Sequence, residues 1–199
     1  MATPTDLIAG VRSAHERLHS TVRLIDDGTA RSPSRLPGWT VGHVVTHLAR
    51  NADSVVRRIR GAMDGQPVPQ YAGGAAGRAA EIEAGAGRPA AELIADLLGA
   101  DEAVDRLLPS VPAGIWDRPI PRASGTAVPA DRIVCSRWRE VEVHHVDLGL
   151  GYQPADWPPA LVDLMLPGLL DGLPERADRS ALAAWALDRA PAPPLRPWD

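Results

Sequence analysis

Lysine and phenylalanine are absent from this chain, cysteine occurs once, and aromatic residues make up only 4% of it. Each shortage excludes something. A single cysteine, Cys135, rules out an internal disulfide. With no lysine, all 21 basic residues are arginine, interspersed with 25 acidic ones for a formal charge of −4, so no basic run or face of the kind nucleic acid requires is present. No apolar run approaches the ~18 residues needed to span a bilayer, and the N-terminus lacks the pattern of a signal peptide. The expected protein is soluble and cytoplasmic, with neither a nucleic-acid nor a membrane partner. No Gly-rich phosphate loop follows a strand, and the glycine runs between Gly73 and Gly87 lack that context. Abundant Ala, Gly and Pro point to GC-rich codon usage, which speaks to source and not to function.

What is present is helical periodicity. Thr3, Pro4 and Asp6 form a helix start, and Leu7, Ile8, Val11, Leu18, Val22 and Ile25 repeat at helical spacing, predicting a first helix over about Thr5–Asp27 that Asp26-Asp27-Gly28 stops. His15 and His19 on it read as two solvated polar positions. Thr40 caps a second helix, about Val41–Met63, with Val44, Val45, Leu48, Ala52, Val55 and Ile59 on its apolar face and His43 and His47 at or near its rim. The segment 61–89 reads as a long connection with one short helical turn around Ala79–Ala84, of the length that is usually functional or mobile. A third helix runs from Pro89 to near Pro109. Residues 111–128 read as loop with short extended pieces, and a fourth helix spans about Pro129 to Gly149. Four helices of comparable length predict a mainly all-α four-helix bundle over residues 1–152. Residues 153–199, with helices near Ala160–Leu173 and Arg179–Arg189, are too few for an independent domain and read as a short C-terminal extension.

The fourth helix carries the chemistry. At ~100° per residue Arg137, Glu140, His144 and Asp147 fall in one polar stripe about 80° wide, beside an apolar stripe of Val134, Trp138, Val141 and Leu148, while Glu142 points to the far side. A carboxylate and an imidazole at i and i+4 can reach one point in space, which is how a helix supplies two ligands to a metal ion. His47 on the second helix is the candidate third ligand. The set His47, Glu140 and His144 leaves one coordination position open, the catalytic form of a zinc site. Cys135 falls on the opposite side of its helix, which argues against an enzyme-borne thiol nucleophile. His145 reads as a core histidine, and Trp39, Trp138 and Trp157 as packing anchors.

Three separated strings, WTVGHVVTHLARNAD, YAGGAAGRAAEIEAGAGRPAAEL and RWREVEVHHVDLGLGYQPADWP, together resemble the mycothiol-dependent maleylpyruvate isomerase family, a branch of the DinB-like metal-binding helical bundles. The resemblance runs from Thr5 to about Pro159, and the tail ALAAWALDRAPAPPLRPW is similar to that family's C-terminal end. It implies a DinB-like bundle in which His47, Glu140 and His144 bind zinc or another divalent metal, and mycothiol, a small thiol of actinobacteria, serves as cosubstrate. Family members usually carry a small αβ domain after the bundle. Here about forty residues follow Pro159 without an alternating strand pattern, so the extension reads as a reduced remnant of that domain.

The chemistry implied is activation of the thiol for attack on a small electrophile. With a cis-enedione acid such as maleylpyruvate, addition of the thiolate to the double bond, rotation and elimination return the trans isomer. Without elimination the same step is an S-transfer in detoxification or natural-product biosynthesis, and the reduced tail moves weight toward it. A bundle that binds metal or ligand without catalysis is the remaining alternative, and a fourth protein ligand such as His43 or Asp147 would favour it. Asp147 is a candidate to orient an imidazole or a water. Arg78 and Arg189 are candidates to hold a carboxylate or the thiol's polar groups. Arg137 is expected to pair with Glu140 or Asp147, and Asn51 to reach into the cofactor side of the site or face water. The protein is expected as a monomer or homodimer.

Overall fold

The long helices begin where the local sequence satisfies or removes the first N–H groups. The structure, a computed structural model, describes residues 3–121 and 126–196. Helix α1 (Pro4–Val22) opens on a reciprocal cap: the Thr3 hydroxyl accepts from the Asp6 amide at 3.3 Å and the Asp6 carboxylate accepts from the Thr3 amide at 3.0 Å. A five-residue α2 (Asp27–Arg31) follows, then α3 (Val41–Met63), capped by Thr40. Helix α4 (Gly74–Ala86) leads to α5 (Ala90–Leu107) and α6 (Ala130–Asp147), the last two each preceded by a proline that has no N–H to leave unsatisfied.

Helices α1, α6, α3 and α5 pack in that order around a closed four-helix ring, each on the next and α5 back on α1. Their apolar stripes form the core: Val11, Leu18 and Val22 of α1, Val44, Leu48 and Ile59 of α3, Leu97 of α5, and Val134 and Val141 of α6 are wholly buried. Each such side chain stabilises the fold by about 1.5–3 kcal/mol through the apolar surface it removes from water. Two short strands, β1 (Pro119–Pro121) and β2 (Ala127–Pro129), pair antiparallel with Ile120 opposite Val128 ahead of α6. Among the described residues no helix is long and apolar enough to cross a membrane.

Three departures from the sequence reading have physical causes. Helix α1 ends at Val22 because Asp26 begins a new helix, its carboxylate accepting from the Thr29 amide at 2.7 Å, and does not merely stop the old one. The segment expected as a connection with one turn forms α4, a 13-residue helix laid across α3. Glycines make that crossing close: a Cβ at Gly42 would stand 2.3 Å from the Ala86 carbonyl oxygen, and one at Gly85 would stand 2.6 Å from Cγ2 of Thr46. His15 and His19 are not a solvated pair: His15 is 1% exposed, and both meet carboxylates of α5.

The chain divides into two compact units, Met1–Trp157 and Pro158–Asp199. The first extends beyond Tyr152 because that residue's hydroxyl donates to the buried Glu142 carboxylate and the Trp157 indole N–H donates to the Glu142 carbonyl at 3.2 Å. The second unit comprises α7 (Pro159–Asp171), α8 (Leu173–Arg176) and α9 (Arg179–Ala186).

Candidate metal centre

His47 sits 2% exposed in the second turn of α3, and Glu140 and His144 stand one turn apart on α6, the neighbouring helix in the ring. His47 Nε2 lies 3.1 Å from His144 Nε2 and 3.2 Å from Glu140 Oε2, and the third edge, His144 Nε2 to Glu140 Oε2, is 3.5 Å. Ligands at the usual ~2.0–2.1 Å from a tetrahedral zinc ion stand roughly 3.3–3.4 Å from one another, so this triangle has the edge lengths of three zinc ligands. The donor set, two imidazole nitrogens and one carboxylate oxygen, is also what zinc or a similar divalent ion takes. Among the described residues this is the group of His, Cys, Asp and Glu side chains that could hold a metal ion.

The electrostatics follow from crowding three lone-pair atoms in a half-buried place. Burial pushes His47 down to about 4, with the His144 and Arg78 charges acting in the same sense against the pull of Glu140. It is neutral near pH 7 and its lone pair is available. Burial acts to lower His144 too, but hydrogen bonds to Asp147 and Glu140 outweigh it and raise that group to about 9. Burial alone would raise Glu140; the two imidazoles reverse this and hold it well below its ordinary range. Three such atoms need a cation among them, and without a metal ion the His144 proton fills that role.

Around the trio, Asp147 Oδ2 takes a hydrogen bond from His144 Nδ1 at 2.8 Å, which turns Nε2 toward the other two ligand atoms. Arg78, carried in by α4, places Nη2 at 3.2 Å from His47 Nδ1 and 3.5 Å from Nε2. A donor in line with the Nδ1 lone pair would stand ~5 Å from Nε2, so the guanidinium lies across the ring and not on a hydrogen-bonding axis. It also stands 6.0 Å from the Trp39 ring centre and 5.9 Å from that of Tyr71. Trp39 in turn meets the His47 ring edge-on at 5.8 Å. His43 is engaged elsewhere: its Nδ1 accepts from the Thr40 amide at 3.1 Å, completing the helix cap, which leaves Nε2–H to donate to Glu83 at 3.2 Å.

The structure thus brings His47, Glu140, His144, Asp147 and Arg78 together. It does not place Arg137 or Asn51 with them. The polar stripe groups Arg137 with Glu140 and Asp147, but its guanidinium reaches Asp101, His15, the Leu48 carbonyl and Asn51 in the bundle interior. Asn51 accepts from Arg137 at 2.9 Å and is 6% exposed, so it neither faces water nor enters the ligand triangle. A long side chain one turn before Glu140 can cross to neighbouring helices, which a helical wheel does not show. Arg189 belongs to the second unit, where it is exposed and donates to the Asp188 carbonyl at 3.3 Å. Glu142 turns away from the site toward Arg17 and Tyr152. His145 is buried against Thr21 and stacked on Tyr152. Trp39 and Tyr71 as walls of the site escaped the sequence reading. The one signal available was their place in the same two strings as His47 and Arg78.

Known structures share this fold. A crystal structure of the mycothiol-dependent maleylpyruvate isomerase superposes with a TM-score of 0.78 at 25% identity, over 81% of this chain and 67% of that one. A structure of a histidine-to-alanine mutant of the mycothiol-dependent maleylpyruvate isomerase matches equally well at 24% identity, over the same shares of the two chains. The fold is therefore the mainly α, DinB-like bundle. No curated protein matches the chain. The family model for the mycothiol maleylpyruvate isomerase N-terminal domain matches residues 11–149, which hold all three ligand candidates together with Arg78 and Asp147, and the chain belongs to that family.

Proposed function

We propose that the protein is a divalent-metal-dependent enzyme that activates the thiol of mycothiol for attack on a small electrophile, with isomerisation of a maleylpyruvate-like cis acid as its reaction. The observation that carries this reading is the ligand triangle with His43 and Asp147 both engaged elsewhere, which leaves a coordination position for an exogenous group. Zinc bound there would supply Lewis acidity that draws a thiol toward its thiolate. His47, Glu140 and His144 are the residues to hold the ion. Asp147 fixes the His144 ring and its tautomer. Arg78 has no carboxylate among its described contacts and stands over His47 between two aromatic rings, a position suited to a substrate carboxylate. Trp39 and Tyr71 flank the Arg78 guanidinium on that side.

The same centre supports S-transfer when the adduct does not eliminate. That second reading needs only the ligand triangle and the open position beside it.

The test is an assay of zinc-loaded protein with mycothiol and maleylpyruvate, following the trans product by NMR, beside a second assay with a bimane electrophile. Isomer formed only when both zinc and mycothiol are present supports the isomerase; bimane adduct alone supports the transferase. Turnover in neither, with zinc demonstrably bound, would sink the catalytic reading.

A further inference from the structure

Among the described residues Arg137 is the largest fully buried side chain, and the chemistry proposed above does not use it. From α6 its Nη1 donates to the Leu48 carbonyl and to Asn51 Oδ1 on α3, both at 2.9 Å. Its Nε donates to His15 Nε2 on α1 at 3.2 Å, and Nη2 to the Asp101 carboxylate on α5. An arginine only donates, so His15 must accept at Nε2 and give its Nδ1 proton to Asp105, 2.9 Å away. His19 Nε2 completes Asp101 at 2.9 Å. One guanidinium therefore joins all four helices of the ring.

Its location along them matters. Leu48 follows His47 directly, Asn51 stands one turn beyond His47, and Arg137 stands one turn before Glu140. The clamp crosses from α6 to α3 within a turn of the place where His47 must meet Glu140 and His144. A buried ion pair is a poor reason for stability alone, since apolar side chains of like volume often serve as well. Apolar packing is much less demanding about the height and roll of one helix against another. A three-ligand triangle spanning two helices tolerates errors of only a few tenths of an ångström.

We propose that Arg137 is a positioning residue for the metal centre: held by Asp101, it grips the Leu48 carbonyl and Asn51 and so sets the height and rotation of His47 relative to Glu140 and His144. The inference rests on reading the trio as a metal site. Arg137→Lys keeps a charge opposite Asp101 but loses the planar fork that spans the carbonyl, the amide and the carboxylate together. Asn51→Ala leaves the Arg137–Asp101 pair intact and loosens only the grip on α3.

The experiment uses the full chain stripped of metal, titrated with zinc against a chromophoric chelator, and in parallel with cobalt(II), whose visible absorption reports ligand geometry. Leu97→Ala, a core truncation on α5, which supplies no ligand, controls for loss of stability. Arg137→Lys is expected to weaken zinc binding about ten- to a hundredfold, as removal of supporting partners does in metal sites, and Asn51→Ala by about three- to tenfold. Both should alter the cobalt spectrum. Leu97→Ala should lower the thermal midpoint at least as much while leaving zinc affinity and the cobalt spectrum unchanged. Wild-type affinity and spectrum in both clamp variants would overturn the proposal, as would an equal loss of affinity in Leu97→Ala. If Arg137→Lys does not fold, Asn51→Ala decides the matter. If the wild type binds neither ion, the metal-site reading fails and this inference falls with it, a result distinct from a wild type that binds and variants that bind as well.

Discussion

Helix α6 carries two polar clusters one turn apart, and they are built to opposite rules. Around Arg137, donors meet acceptors: a cation, a carboxylate, an amide, a carbonyl and two imidazoles whose protons can be assigned from the network. Around His47, Glu140 and His144, atoms that all bear lone pairs face one another at 3.1–3.5 Å. The first arrangement is complete in itself. The second closes only around a cation, the His144 proton in the metal-free protein or a metal ion in its place. Burial and charge do not by themselves mark a functional site; the balance of donors and acceptors does.

Opening the closed cluster on one side should have the largest effect. Asp101→Leu leaves Arg137 charged and unpaired in the core and should destabilise the protein by about 3–5 kcal/mol, read from urea unfolding at pH 7. The double variant Arg137→Met with Asp101→Leu removes both charges and should cost less than the single Asp101→Leu. A double loss equal to the sum of the singles would show that the two groups are not coupled.

At the open cluster, Asp147→Ala frees the His144 ring and should weaken zinc binding by about tenfold, near 1.4 kcal/mol, and in the metal-free protein should lower His144 from about 9 toward its ordinary 6.5. Equal zinc affinity in that variant would show that the hydrogen bond does not orient the ligand.

The acid limb of stability gives a further contrast. Burial alone would raise Asp101, but the Arg137 charge and the His19 hydrogen bond hold it below its ordinary 3.8. Its folded pKa is depressed, so its stabilising contribution is complete above pH 3.8 and disappears as the pH falls through the lower folded value. Wild-type unfolding free energy should drop through that window, and the drop should be shallower in the double variant, which lacks the carboxylate. Glu140→Gln without metal should lower His144 from about 9 toward its ordinary 6.5, because that carboxylate is one of the two groups that raise it, and a proton NMR titration of the His144 ring reads the change. An unchanged His144 pKa would show that the carboxylate and the imidazole are not coupled.

Much of the open cluster was legible in the residues. The angular positions of Glu140 and Glu142 on α6 separate the carboxylate that meets His47 from the one that meets Arg17, and the i, i+4 spacing pairs Glu140 with His144. The closed cluster was not legible, because its partners are supplied by other helices: His15 and His19 acquire their meaning from Asp101 and Asp105, more than eighty positions away. A wheel gives direction and not reach, so it groups Arg137 with Glu140 and Asp147 while the guanidinium reaches Asp101, the Leu48 carbonyl and Asn51. Helix α4 was underestimated for a different reason. It buries little beyond Ile82 and Ala86 and shows scant apolar periodicity, being held by glycine contacts with α3 that no periodicity reveals. That helix brings Arg78 to His47.

Whether a metal ion completes the open cluster is decided by the zinc content of protein purified under metal-replete, chelator-free conditions, beside His47→Ala and Glu140→Ala. Close to one zinc per chain is expected in the wild type and none in either variant, with helical circular dichroism retained in all three. A folded wild type without metal, or variants that keep a full complement of zinc, would contradict it.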